Sequence, residues 1–168
     1  MPIGSGVVMG TIKDAVTGVP IKGVMISSDG MSGCCPSNGD GAYACSDTAG
    51  TYHFTCVHTN YRQQTKLITL PDSQTIIVDW SMHKLTRIKG HVYNADGTPA
   101  SNCTMTLKNA GGAVIQTTVT DAQGFYAFPD RVLGGRSYGI TCECRAIART
   151  NQIPLGEDFR VVNFGSPA

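Results

Sequence analysis

Charge is the first thing this sequence lacks. Asp, Glu, Lys and Arg make up 15% of its 168 residues and the formal net charge is only +1. A nucleic-acid-binding face needs clustered Lys and Arg, so nucleic acid is excluded as a partner class. Glutamate is confined to Glu143 and Glu157, and the four His are scattered along the chain. There is no nucleophile elbow, His-Glu-x-x-His, P-loop or dinucleotide fingerprint. The expectation is no catalytic residue, no metal and no cofactor. No apolar run approaches the ~20 residues of a membrane-spanning helix, so membrane insertion is not expected. Met1-Pro2-Ile3-Gly4-Ser5-Gly6 also lacks the basic and apolar segments of a secretory leader. The expectation is cytosolic synthesis with later release, as for a virion component, or a mature secreted chain with a replacement Met.

What is present is repetition. Thr118-Val119-Thr120-Asp121-Ala122-Gln123-Gly124-Phe125-Tyr126-Ala127-Phe128 reads as a strand, an Asp-x-x-Gly turn and a strand returning antiparallel. Asp bonds backbone N–H groups two residues on, and Gly accepts the positive φ of such a turn. The same phrase is read in Ala44-Cys45-Ser46-Asp47-Thr48-Ala49-Gly50-Thr51-Tyr52-His53-Phe54. Upstream, Val8-Met9-Gly10-Thr11-Ile12 runs on to Gly18-Val19-Pro20, and Ile88-Lys89-Gly90-His91-Val92 runs on to Gly97-Thr98-Pro99. A repeat of about 80 residues predicts two small β-sandwiches, 1–83 and 84–168. From Pro20 to Asp47 is 27 positions against 22 from Pro99 to Asp121, which places about five extra residues in the loop Ser27–Gly41.

Strands are expected near 7–13, 23–27, 42–46, 51–58, 64–70 and 74–82, with Trp80 in the core. In the second copy they are expected near 88–93, 102–108, 113–120, 124–129, 137–145 and 158–164. His83–Arg87 is the expected linker, and Ala146–Asp158 a loop broken by Pro154 and Gly156. With no amphipathic helix in view, the class is all-β: two tandem Greek-key sandwiches of Ig-like or transthyretin-like type.

The residues that carry this pattern resemble the carboxypeptidase regulatory-like, or transthyretin-like, β-sandwich family. In the second copy they are Gly90, Val92, Asp96, Gly97, Pro99, Thr120, Asp121, Gly124, Tyr126 and Phe128. In the first they are Gly10, Ile12, Gly18, Pro20, Asp47, Gly50, Tyr52 and Phe54, with Ser46 where the pattern has Thr. The resemblance implies a fold; such modules serve as spacers, adhesins and decorations, and fold does not imply function.

Seven cysteines are the remaining signal. Cys142 and Cys144 lie two apart on an expected strand and share a face. Cys103 shares its face with Met105 and Leu107, so a bridge from Cys103 to Cys142 or Cys144 across the core is one expectation. Cys45 and Cys56 flank the first signature, and Cys34 and Cys35 precede it. Disulfides, buried free thiols and a zinc site drawing on Cys45, His53, Cys56 and His58 all remain open. An isopeptide crosslink from Lys89 to Asn163 beside Glu143 is disfavoured, because strand alternation turns Lys89 and Glu143 to solvent.

Together these readings point to a non-enzymatic structural module on a larger assembly, with a virion surface or capsid decoration protein as the first expectation. The alternatives are an extracellular adhesion or filament subunit and an accessory domain pair of a secreted enzyme. The expected partners are a protein lattice or other subunits, including further copies of the chain. Long loops on a rigid sandwich concentrate recognition, which nominates Cys34, Cys35, Asn38 and Asp40 in the first copy and Pro154 and Glu157 in the second.

Overall fold

The computed structural model describes residues 4–145, 147–154 and 156–168. Contacts divide the chain into two units, Met1–Lys84 and Leu85–Ala168, each a β-sandwich.

The first unit contains β1 (Ser5–Asp14), β2 (Met25–Ser28), β3 (Cys35–Pro36), β4 (Ala42–Thr48), β5 (Gly50–His58), β6 (Tyr61–Leu70), β7 (Thr75–Ile77) and β8 (Trp80–Met82). β4 pairs antiparallel with β1, and β7 and then β8 pair parallel with it. The facing sheet has the order β3-β2-β5-β6. Alternation buries Val8 and Ile12 from one sheet against Ile26, Phe54 and Cys56 from the other. Trp80 completes that core.

The second unit contains β9 (Leu85–His91), β10 (Thr104–Lys108), β11 (Val114–Val119), β12 (Phe125–Ala127), β13 (Val132–Leu133), β14 (Arg136–Cys142), β15 (Ile147–Ile153) and β16 (Phe159–Val161). β12 and β13 pair antiparallel with β9, and β16 runs parallel to it. The facing sheet has the order β11-β10-β14-β15. Here Ile88, Val92 and Phe164 meet Met105, Leu107 and Ile140. Among the described residues the one helical segment is a single 3-10 turn, Glu143–Arg145.

Four expectations are corrected. Ala146–Asp158 is not a loop throughout, because Ile147–Ile153 forms β15 against β14 with Ile153 buried. Polar Arg149, Thr150, Asn151 and Gln152 hid that strand, since its outer face is wet. Ser27–Gly41 is not one irregular stretch, because β3 pairs with β2 inside it. His83–Arg87 is not a free connector: Leu85, Thr86 and Arg87 already belong to β9. Finally, Asp121–Gly124 does form a turn, but the strands on either side do not return as a hairpin. β11 and β12 lie in opposite sheets, so the turn is a corner.

That last point also moves the repeat. The corner equivalent to Thr120-Asp121-Ala122-Gln123-Gly124-Phe125-Tyr126 is Ser37-Asn38-Gly39-Asp40-Gly41-Ala42-Tyr43, which joins β3 to β4. Asp47–Gly50 is a different place, where the chain crosses from β4 to β5. Gly50 opens β5 and lacks the positive φ of a turn glycine, whereas Gly41 and Gly124 both have φ +71°.

Candidate functional site

Each corner closes on the same set of bonds. Asn38 Oδ1 accepts the N–H of Asp40 (3.0 Å) and Ala42 (2.9 Å); Asp121 Oδ1 accepts those of Gln123 and Phe125, both at 2.9 Å. One residue earlier, a buried hydroxyl ties the corner to the strand entry. Ser37 Oγ donates to the Ile21 carbonyl (2.7 Å) and accepts Val24 N–H; Thr120 Oγ1 donates to the Ala100 carbonyl (2.7 Å) and accepts Cys103 N–H. A Cβ at Gly41 would strike the Ile12 carbonyl, and one at Gly124 the Val92 carbonyl. Glycine is required at both positions on two counts, the φ and the close approach.

The tyrosine after each corner spans the sandwich. Tyr43 donates to the Val78 carbonyl and Tyr126 to the Val162 carbonyl, each at 2.6 Å. Gly10 and Gly90, their cross-strand partners, leave room for those same carbonyls. Burial pushes the Tyr43 hydroxyl up to about 12 and raises that of Tyr126 as well. These groups hold the fold and are not poised for proton transfer.

The two disulfides occupy different places. Cys103 bonds Cys144, with Cα atoms 5.3 Å apart. This pair extends the Met105/Cys142 register, so the bridge links the residue before β10 to the turn after its sheet neighbour β14 and does not cross the core as the sequence suggested. Cys35 bonds Cys45, with Cα atoms 5.8 Å apart, and this bridge does join the two sheets, from β3 to β4. Cys56 and Cys142 are buried free thiols, so neither takes the bridge offered to it. They are equivalent: Cys56 faces Ile26, and Cys142 faces Met105. Burial pushes the Cys56 thiol up to about 12 and raises that of Cys142. A thiol that stays protonated is a poor nucleophile and a poor metal ligand.

Of the residues nominated for recognition, Cys34, Asn38, Asp40 and Pro154 are exposed. Cys35 is bonded and Asn38 is occupied by its own turn. Glu157 pairs with Arg160 at 3.3 Å. Asp47 accepts a bond from Ser28 Oγ (2.8 Å), which pins the end of β4 to β2. His53 Nδ1 lies 3.1 Å from Asp29 and its N–H donates to the same carboxylate; that bond with the imidazole holds Asp29 below the usual carboxylate range. The crosslink candidates are engaged elsewhere. Lys89 Nζ sits 4.2 Å above the Phe159 ring, Asn163 Oδ1 accepts His91 N–H (2.9 Å), and Glu143 is exposed.

Among the described residues no group of three or more His, Cys, Asp or Glu side chains comes together to hold a metal. A surface cleft of about 590 Å³ opens beside the β10–β11 turn, lined by Asn109, Gly111, Ile115, Arg136, Ser137 and Tyr138. Tyr138 donates to the Leu133 carbonyl (3.1 Å), which leaves Arg136 without an acid–base partner in the lining. No helix among the described residues is long and apolar enough to cross a membrane.

No family model matches the chain, and no curated protein matches it. Solved structures do. A streptococcal ancillary pilin superposes over 98% of this chain and 64% of its own, at TM-score 0.52 and 10% identity. The chain shares the fold of a pilin. The Bacillus anthracis TIE protein aligns over 95% of this chain and 33% of its own (TM-score 0.46, 14% identity). The minor pilin GBS52 of Streptococcus agalactiae aligns over 94% of both chains (TM-score 0.47, 12% identity). This chain thus spans about a third of the TIE protein and just under two thirds of the ancillary pilin. At such identities the likeness is one of Ig-like, all-β architecture.

Proposed function

We propose that this protein is a non-enzymatic structural subunit of an extracellular filament or cell-surface adhesion assembly. The observation that carries this reading is the doubled sandwich, in which equivalent polar groups of both copies are spent on the same structural braces. Ser37/Thr120, Asn38/Asp121 and Tyr43/Tyr126 fasten corner to strand and sheet to sheet. None of them faces an acid–base partner across a cleft, as a catalytic site would require.

The pilin fold supports a filament or adhesion role over virion decoration, for which the comparisons offer no parallel. A fold shared with pilins and repeated in tandem suits a chain that spaces or links other proteins, with the breaks near residues 83–85 separating two modules. The finer kinship with carboxypeptidase regulatory-like modules rests on the corner phrase Ser/Thr-Asx-x-x-Gly-x-Tyr, now aligned in both copies. Two disulfides suit an oxidising compartment. Exposed residues of the nominated loops that are not spent on their own turn, Cys34, Asp40 and Pro154, are the points from which contacts to neighbouring subunits would be mapped.

The test is immunogold labelling of intact source cells and of particles from the culture medium, using antibody raised to the full chain. Gold on filaments or on the cell surface is the expected result. Label confined to the cytosol, or to virus particles, would overturn the reading.

A further inference from the structure

Sheet edges are where a β-protein meets other strands, and soluble proteins blunt them with charge, proline or brevity. In the first unit β3 is two residues long, ends in Pro36 and is bonded through Cys35. β6 carries Arg62 and Lys66, β4 carries Asp47, and β7 is only three residues long. In the second unit β15 carries Arg149, and β12 is three residues long. β11 differs from all of these. It is terminal in the order β11-β10-β14-β15, and among the described residues no strand pairs with its outer side. Its sequence, Val-Ile-Gln-Thr-Thr-Val, has neither charge nor proline. Val114, Ile115 and Val119 are 59%, 44% and 54% exposed.

We propose that β11 is a self-association edge, pairing antiparallel with β11 of a second copy about a two-fold axis through Thr117. Symmetry limits the register to pairs of like parity, and the side-chain pairing chooses among these. A two-fold axis perpendicular to the sheet keeps each residue on its own face, so a residue must oppose one of the same parity. With Thr117 opposite its own counterpart, Ile115 opposes Val119 and Gln116 opposes Thr118. All three exposed outer-face positions then meet β-branched partners, the pairs that stabilise sheets.

Charge selects a second copy as the occupant. A two-fold pairing brings the charges of an edge close to those of its copy, which Arg62 and Lys66 on β6 or Arg149 on β15 would penalise. β11 carries no charge, and the first one beyond its end, Asp121, would fall opposite Ala113. The bulge at Leu107/Lys108 distorts the pairing only near Val114, leaving Gln116–Val119 in regular register with β10. Gln116 is held by two bonds to the Asp130 backbone (3.1 and 3.0 Å), which stiffens the strand before any partner arrives. An edge contact of this length is small and closes at two copies, so association is weak for a free pair and tightens only where copies are already held side by side.

This inference deepens the structural-subunit reading and rests on it for its purpose, but its test is separate. The full chain carrying Cys34→Ser, which removes the exposed free thiol, is followed by sedimentation velocity from about 1 μM to about 1 mM. A dimer that grows with concentration is expected. Thr117→Lys and Thr117→Glu should each weaken it at least tenfold, and a 1:1 mixture of the two should recover it. Hydrogen exchange gives a readout independent of variants: β11 amides should gain protection with concentration while β15 amides do not. A chain that stays monomeric throughout, a dimer indifferent to Thr117→Lys, or a mixture that fails to recover would overturn the pairing. Surface labelling would be untouched by any of these.

Discussion

The two units are one design closed in two ways. Both have the buried hydroxyl, the Asx corner, the left-handed glycine, the spanning tyrosine and a free thiol at equivalent places. They differ at one sheet edge, β3 in the first unit and β11 in the second. The first unit reduces its edge strand to Cys35–Pro36 and bolts it to β4 through Cys45. The second keeps a six-residue edge strand, holds it to the other sheet with the Gln116–Asp130 bonds, and places its disulfide between β10 and the turn after β14. The shared parts therefore define the sandwich, and the disulfides are separate reinforcements suited to each edge.

The largest test of this comparison is to remove the bridges. The Cys103–Cys144 loop has a sequence separation of 41 and the Cys35–Cys45 loop one of 10. Chain entropy predicts losses of about 4 and about 3 kcal/mol for Cys→Ala pairs. Trp80, the one tryptophan, lies in the first core and reports that unit's unfolding, while hydrogen exchange reports the second. A loss of Trp80 signal stability on removing Cys103–Cys144, greater than on removing Cys35–Cys45, would break the assignment of one brace to each unit.

Next in size are the corner glycines. Gly41→Ala and Gly124→Ala should each cost about 2–3 kcal/mol, because strained φ and a carbonyl collision act together. Gly50→Ala should cost less, since its φ is ordinary and its nearest obstacle is the Tyr52 ring. Denaturant midpoints of the three variants decide whether the corner alignment is correct.

The spanning tyrosines should then separate the units. Tyr43 also accepts the Trp80 indole N–H (3.0 Å), so Tyr43→Phe strands two buried groups where Tyr126→Phe strands one. The expected losses are about 2 and about 1 kcal/mol. Equal losses would mean that the Trp80 bond contributes nothing.

The smallest effect at neutral pH belongs to the buried thiols, with Cys56→Ala costing about 1 kcal/mol or less. Alkali reveals more. The Cys56 pKa is raised from 9.0 to about 12 by burial, so its contribution is complete below pH 9 and is lost as pH rises towards 12. Tyr43, raised from 10.0 to about 12, adds the same sense of loss from pH 10 upward. In Cys56→Ala the decline of the Trp80-reported urea midpoint between pH 9 and 10 should shrink, while the second unit, where Cys142 is also raised, keeps its own decline.

The sequence made the all-β class legible, because alternation and turn chemistry are local, and it offered Cys103–Cys144 as one of two bridges to Cys103. It misplaced the first corner because Asp47-x-x-Gly50-x-Tyr52 matches the later phrase more literally than Asn38-x-x-Gly41-x-Tyr43 does. The deciding signal was one residue upstream. Ser37 and Thr120 both present a hydroxyl to the strand entry, and that equivalence is visible only through bonds to Ile21 and Ala100. Partnering of Cys35 with Cys45 was hidden for the same reason: the corner that brings β3 and β4 together is the Asn38–Gly41 turn that was misplaced.

One feature of both units bears on load. The first strand of each sandwich lies parallel and adjacent to its last strands, β1 beside β7 and β8, and β9 beside β16. Tension applied at the two ends of a unit would draw these neighbours past each other lengthwise. Their hydrogen bonds would then be stressed together and not peeled one at a time. Forced unfolding is governed by the unfolding barrier, so resistance to pulling can exceed what equilibrium stability suggests. In the second unit the Cys103–Cys144 bond would also withhold the chain between those residues from extension, so single-molecule pulling should show a shorter contour gain that lengthens on reduction.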